Sequence, residues 1–501
     1  MYEATPAREA RPAYLRDRVH ALDGDLAVDC DVVVIGTGAG GAVVGKELAE
    51  AGLAVVMVEE GRYVDRSELT GRPFAMQQKL YRRGGSTFSV GNVPIPIPIG
   101  QSVGGTTTIN SGTCYRTPDR VLAGWAGDLG LAELAPDQLA PYFDRVEQVL
   151  QVEAARASLL GGNGRVVARG ADALGFTRHH PLRRNAPACD GQGVCCFGCP
   201  TDAKRSTNVS YVPLALRAGA ELFTGARVHR IIVERGRAVG VVARGADGAR
   251  LTVRGRAVVV ACGTLITPVL LAGSGLAGGS GALGEHLTIH PCAGAIAELD
   301  EPVQPWRGIP QGYSVDELHD EGILFEGAML PLEMTLTMSQ LVGPELIRLA
   351  ESFDRAATFG FLIEDDGHGR VRAVRGHPVI EYWCRPTPAD RRSRCCSPSD
   401  WSRSGTRWIA DCRAACSFLV TQPAVMLISP SARRVVRARD ERRVGRIMAA
   451  SMHEPRARES PRRACPRAGF AELVCPLTEP AAARPNERVG QHPRGLWRSR
   501  R

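Results

Sequence analysis

Lysine is almost missing from this chain. It occurs at Lys46, Lys79 and Lys204 only, against 59 arginines. That skew fits a GC-rich genome better than selection for a particular partner. Aromatic residues are also sparse, at 5% of 501 residues. No run of eighteen apolar residues exists, which excludes an ordinary transmembrane helix. The longest candidate, 257–273, is interrupted by Thr264, Thr267 and Pro268. The first thirty residues hold no apolar core of the kind a secretory leader needs, so no signal peptide and a cytoplasmic location are expected. With 44% hydrophobic residues the chain reads as globular and long enough for two domains.

Glycine, by contrast, is abundant, and its placement is informative. Val32, Val33, Val34 and Ile35 form a continuous β-branched run, the pattern of a strand buried on both faces. It leads into Gly36, Gly38 and Gly41 in a G-x-G-x-x-G spacing. Gly36 suits a tight turn, Gly38 close approach of a pyrophosphate, and Gly41 close packing of helix on strand. A helix is expected from Ala42 to Ala51, then a second apolar run from Ala54 to Val58 ending at Glu59. An acid there is placed to accept from a ribose diol, with the pyrophosphate on the helix N-terminus. The whole unit predicts an adenine-dinucleotide site, and Glu59 suits FAD or NAD(P) alike.

Further along, alternating prolines in 94–100 permit only extended backbone. They deliver Gly104, Gly105, Thr106, Thr107, Thr108 and Asn110, a stretch suited to backbone passing close to a flat ring. Short strands are expected at 227–233, 238–242, 251–253 and 257–260 as a meander, and a helix at 344–353. Four cysteines fall within eleven residues, Cys189, Cys195, Cys196 and Cys199, with proline at 200. That density in a chain read as having no leader points to metal more than to disulfides. A cysteine-rich structural turn is the other reading of the same residues.

The Gly36–Glu59 unit and the Gly104–Asn110 stretch at this distance resemble the glucose–methanol–choline (GMC) flavin oxidoreductases. Two later stretches agree: Val258 to Leu271, with Gly263, Thr267 and Pro268, and Leu283 to Pro291, with His290. The resemblance implies an α/β fold, a Rossmann-like doubly wound FAD-binding domain with an inserted α+β substrate cap. The expected division is an N-terminal arm at 1–29, the FAD domain at 30–295 with its cysteine-rich loop at 189–200, a cap at 296–385, and a tail at 386–501. It implies that Glu59 holds the adenosine ribose, Val228 pairs with adenine through its backbone, and Asn110 sits beside the isoalloxazine. The spacing of Cys189, Cys195 and Cys199 resembles the segment that holds an iron–sulfur cluster in some GMC-type sugar dehydrogenases. The residues after it, from Thr201 to Tyr211, look more like the long-chain-alcohol branch.

The activity implied is oxidation of an alcohol CH–OH group with hydride passing to flavin N5, to an electron acceptor the sequence does not identify. Two other readings are an FAD-binding pseudoenzyme and an NAD(P)-linked dehydrogenase. The family's catalytic His-Pro-x-Gly-Thr stretch is missing; His453, in a Ser-Met-His-Glu-Pro context, is its nearest remnant. From residue 385 onward there are 25 arginines against 10 acids, giving +15 in a chain whose net charge is +9. Glycine falls to 5 in those 117 residues, and six further cysteines appear without ligand spacing. This composition predicts a frameshifted tail rather than the family's C-terminal part. The arginines lack a helical face or interleaved aromatics, so no nucleic-acid partner is expected.

Overall fold

The computed structural model describes residues 13–276, 279–339, 341–365 and 369–383, together with the two-residue strand Leu427–Ile428, which pairs parallel with Ile296 and Ala297. His453, the proposed frameshift and the rest of the expected tail lie outside the described residues, as does the start of the arm.

The first sheet has seven strands: β1 (Val19–Ala21), β2 (Leu26–Ile35), β3 (Val55–Val58), β4 (Glu221–Thr224), β5 (Arg227–Glu234), β6 (Arg237–Arg244) and β7 (Arg250–Val260). Their order is β1-β4-β3-β2-β7-β6-β5. The five strands β1, β4, β3, β2 and β7 run parallel, and β6 and β5 continue as an antiparallel meander. Alternation on β2 explains why it lies at the centre. Val33 and Ile35 enter one core with Val56, Val58 and the meander, while Val32 and Val34 enter the other. On that second face pack α1 (Ala39–Glu50) and α2 (Tyr211–Arg217); α3 (Thr267–Gly273) covers the first face through Leu270. Burial on both faces is what a continuous β-branched run requires. The doubly wound α/β reading holds.

Three details differ from the sequence reading. The expected strands 251–253 and 257–260 are one strand, β7, which pairs antiparallel with β6 over its first half and parallel with β2 along nearly all its length. Gly255 interrupts the apolar pattern there without making a turn. The arm is not separate either: β1 and the start of β2 lie in the sheet, with Val19 opposite Leu222. A three-residue strand carries too little periodicity to be seen in sequence. The helix α1 also starts at Ala39, three residues earlier than expected, because Gly38 itself is its N-cap.

The second sheet lies in the region expected to form the cap. It holds β8 (Cys292–Glu298), β9 (Gln311–Val315), β10 (Ile323–Ala328) and β11 (Ala356–Ile363), in the order β8-β11-β10-β9, all antiparallel. Strand His179–Pro181 adds to its β9 edge, and helix Gly161–Ala173 packs on its face, so the cap draws on a segment expected in the FAD domain. The buried Asn163 fixes that helix by accepting the Thr358 N–H at 2.7 Å. The hairpin β12 (Arg370–Val374) and β13 (His377–Glu381) follows. Helix Pro344–Glu351 agrees with the expectation for that region. No helix among the described residues is long and apolar enough to cross a membrane.

Candidate functional site

The carboxyl end of β2, β3 and β7 opens into a cleft of about 760 Å³, within the range of small-molecule sites. Open α/β sheets bind ligands at such carboxyl ends. The turn from β2 to α1 forms its floor. A Cβ on Gly41 would lie 2.0 Å from the Gly36 carbonyl oxygen, so only glycine lets α1 sit this close to the strand. Gly38 is different: a Cβ there would meet nothing within 4 Å. Its open side faces the cleft, and no side chain caps α1. The first N–H groups of that helix therefore have room for an anion.

Glu59 ends β3 on the cleft wall and is 6% exposed. One carboxylate oxygen accepts from the Thr37 N–H at 2.9 Å and the Thr37 hydroxyl at 2.8 Å; the other accepts from the Gly61 N–H at 2.9 Å. Burial pushes its carboxyl pKa up, and these hydrogen bonds with the nearby Arg82 charge oppose the rise. The oxygen facing Gly61 carries one protein bond, leaving a lone pair for a ligand hydroxyl.

The two glycine stretches meet through Thr37. Its hydroxyl oxygen accepts from the Gly104 N–H at 3.1 Å, and its carbonyl accepts from the Thr207 hydroxyl at 2.9 Å. Thr107 donates to the Gly104 carbonyl at 2.6 Å and accepts from the Thr207 N–H at 3.0 Å. Of the residues singled out in sequence, Gly36, Gly38, Glu59, Gly105, Thr107 and Val228 line the cleft. Gly41 and Gly104 lie behind it. Asn110 is exposed and outside this lining, with its carbonyl held by Lys204.

Sequence reasoning missed Thr37, Thr207, Lys204 and Arg82. Arg82 lines the cleft, pairs with Glu60, and has a buried Nε with no partner. It comes from an irregular segment with no periodicity to mark it. Lys204 was the most findable, as one of three lysines in the chain.

The cysteine loop occupies a separate place. Cys189, Cys195 and Cys199 line one small cavity of about 20 Å³, as the short spacing requires. The sulfurs accept from the Gly191 N–H at 3.4 Å, Arg184 Nη2 at 3.3 Å and the Lys204 N–H at 3.4 Å. Cys196 packs apart from them against another core, and burial pushes its thiol up to about 11. A cavity of that size holds about one water. Among the described residues no group of three His, Cys, Asp or Glu is arranged to hold a metal ion. The geometry does not fit the iron–sulfur cluster that the spacing suggested.

The sequence profile of the GMC oxidoreductases matches residues 77–292. An uncharacterised GMC-type oxidoreductase of Sinorhizobium fredii is 32% identical, covering 73% of this chain and 72% of that protein. The chain belongs to the GMC oxidoreductase family. One of Mycobacterium tuberculosis is 41% identical over 75% of this chain, which spans only 60% of that relative. A long-chain-alcohol oxidase of Arabidopsis thaliana is 28% identical over 74% of this chain and 51% of its own length. Among solved structures, pyridoxine 4-oxidase superposes with a TM-score of 0.55 at 18% identity, over 77% of this chain and 80% of the other. That likeness speaks for the fold alone.

FAD is the cofactor that GMC membership implies, and the cleft fits it. The uncapped helix end and open face of Gly38 suit a pyrophosphate, Glu59 a ribose, and the unpaired Arg82 Nε an acceptor on the ligand. Val228, the second residue of β5, lies on the same wall, next to a register shift between Val228 and Arg230.

Proposed function

We propose that this chain binds FAD in the cleft at the carboxyl end of the first sheet and serves oxidation of an alcohol CH–OH group. Bound FAD would supply a hydride acceptor at N5. The chain's own residues do the holding. The N–H groups at the start of α1 and the open face of Gly38 take the pyrophosphate. Glu59, fixed by Thr37 and Gly61, takes the adenosine ribose, and the backbone at Val228 takes adenine. Gly105–Thr107, held beside the first glycine turn through Thr37 and Gly104, face the ring system. The observation that carries this reading is the convergence of Glu59 and the open Gly38 turn on one cleft large enough for a dinucleotide.

The substrate class rests on the names of relatives. Long-chain-alcohol oxidases act on alcohols by name, and a further relative is a paromamine 6'-oxidase of Streptomyces fradiae, 32% identical over 55% of this chain. A long-chain or other lipid-like alcohol is our first choice, with the electron acceptor open. A soluble cytoplasmic protein without a nucleic-acid partner remains part of the proposal.

The test has two stages. Purified protein is boiled and the released nucleotide identified, and the bound flavin is then challenged anaerobically with a panel of alcohols. FAD release followed by bleaching with an alcohol is the expected result. FAD release without bleaching by any alcohol makes the chain an FAD-binding pseudoenzyme. Release of a nicotinamide nucleotide instead overturns the flavin assignment.

A further inference from the structure

Two buried cations lie where the cysteine loop meets the Gly104–Asn110 turn. Lys204 is 1% exposed and Arg184 2%. Lys204 Nζ donates to three backbone carbonyls, those of Thr108 at 3.0 Å, Asn110 at 2.6 Å and Cys195 at 2.9 Å. Arg184 Nη2 donates to the Ser111 carbonyl and to the Cys195 sulfur. Both side chains flank one glycine: a Cβ on Gly112 would lie 3.2 Å from Lys204 Cδ and 3.3 Å from Arg184 Nη2. The carbonyls of residues 108, 110 and 111 are thus gripped by charged donors, each bond stronger than a neutral one.

The charge itself is not neutralised in the ordinary way. Burial lowers the Lys204 pKa; the thiols of Cys195, Cys196 and Cys199 oppose that fall and the guanidinium of Arg184 adds to it, while donation to three carbonyls takes all three hydrogens of an ammonium. Arg184 Nε and Nη1 are buried and unpartnered. Burying an ammonium without a counter-ion is costly, and a neutral amide could still hold two of the three carbonyls. Positive charge fixed in a dry site is most useful where negative charge develops.

We propose that Lys204, backed by Arg184, is a positioning residue for the flavin site: it clamps the Thr108–Ser111 turn from behind and sets an unneutralised positive charge against it. This rests on the FAD reading above, in which the residues just before that turn, Gly105–Thr107, line the cleft that takes the ring. A reduced flavin carries more negative charge than an oxidised one, so the ammonium favours reduction. The clamp and the charge are separable, because glutamine can donate to carbonyls but carries no charge.

The experiment compares the full chain with Lys204→Gln and Lys204→Met. Two quantities are measured: amide hydrogen exchange at residues 109–112, and the midpoint potential of bound flavin by dye equilibration. Lys204→Met is expected to speed exchange at least tenfold and to lower the potential. Lys204→Gln is expected to recover much of the exchange protection while leaving the potential low. Wild-type potential in both variants overturns the charge role, and unchanged exchange in Lys204→Met overturns the clamp. If Lys204→Met is insoluble, Lys204→Gln alone decides through its potential. A wild-type chain without FAD sinks the flavin reading and the charge role with it, while exchange in the same apo protein still decides the clamp.

Discussion

Thr37 donates both its backbone N–H and its hydroxyl to the same oxygen of Glu59, at 2.9 and 2.8 Å. The same hydroxyl accepts from the Gly104 N–H, so one buried side chain joins Glu59 to the second glycine turn. Thr37→Val keeps the shape and the backbone bond to Glu59 but removes the two hydroxyl bonds, leaving the buried Gly104 N–H without a partner. The expected loss is about 1–3 kcal/mol of stability, with weaker flavin retention, and Thr37→Ser should restore both. Thermal unfolding and the flavin-to-protein ratio check this. Equal values for all three proteins would remove Thr37 from the site.

Glu59→Gln tests the proposed ribose contact more directly. All three protein partners of Glu59 are donors, so an amide must turn its own NH₂ toward at least one of them. Retention of FAD should fall by roughly tenfold or more, since a hydrogen bond to a charged group is worth about 1.5–3 kcal/mol. An unchanged dissociation constant for FAD would show that the ribose lies elsewhere.

The glycines divide by what surrounds them. Gly41→Ala places a methyl 2.0 Å from the Gly36 carbonyl oxygen, so α1 must lift from the sheet. Overpacking of this kind costs about 1–3 kcal/mol or more, and the variant should lose solubility or melt early even without ligand. Gly38→Ala meets no neighbour, and Gly38 has an ordinary φ of −66°. Its apo form should melt like the parent while binding FAD poorly. If both variants behave alike, the pyrophosphate does not sit on this turn.

How much of this was legible beforehand depended on the range of the interactions. The β2–turn–α1–β3 unit could be read because its signals are local: β-branched runs, fixed glycine spacing and an acid at the strand end. The cap could not be bounded, since its edge strand His179–Pro181 pairs with Tyr313, Ser314 and Val315 more than 130 residues away. Strand β1 reads in sequence as part of an arm for the same reason. Buried charge is equally silent in sequence: nothing in the local pattern of Lys204, Arg184 or Arg82 distinguishes them from solvated neighbours. The cysteine loop shows the opposite failure. Its spacing correctly implied one shared cavity, but the size of that cavity is set by distant residues such as Gly308 and Ile309.

Arg82 offers a test of a contact the sequence did not suggest. Its Nε is buried, unpaired and on the cleft wall, while its terminal nitrogen pairs with Glu60. Arg82→Met alone leaves Glu60 with only Arg227, 3.9 Å away. The double variant Arg82→Met with Glu60→Gln removes that stranded charge. It should regain thermal stability yet still bind FAD at least tenfold more weakly than the parent. Parental affinity in the double variant would mean that Arg82 serves only Glu60.

The last prediction concerns Glu326 in the cap, a carboxyl 5% exposed on β10 and directly opposite Ser314 on β9. Burial is the main cause that pushes its pKa from 4.5 to about 7; the nearby Asp316 carboxylate adds to the rise, and the hydrogen bond from Gln311 opposes it. Asp316 itself is engaged by the Ser314 hydroxyl, with His180 at 3.0 Å and Tyr115 donating to Ser314 at 2.6 Å. A folded pKa above the unfolded value means that the native state holds a proton the unfolded chain has lost. The stabilising contribution is therefore complete below pH 4.5 and lost as pH rises through about 7. Glu326→Gln keeps the acceptor for Gln311 and cannot ionise. At pH 5 the variant should unfold close to the parent, and at pH 8 it should be more stable, by an amount approaching about 3 kcal/mol. Urea unfolding of both proteins across that range is the measurement. A difference between them that stays constant from pH 5 to pH 8 would mean that Glu326 does not titrate there, and that the cap carries its buried carboxyl ionised throughout.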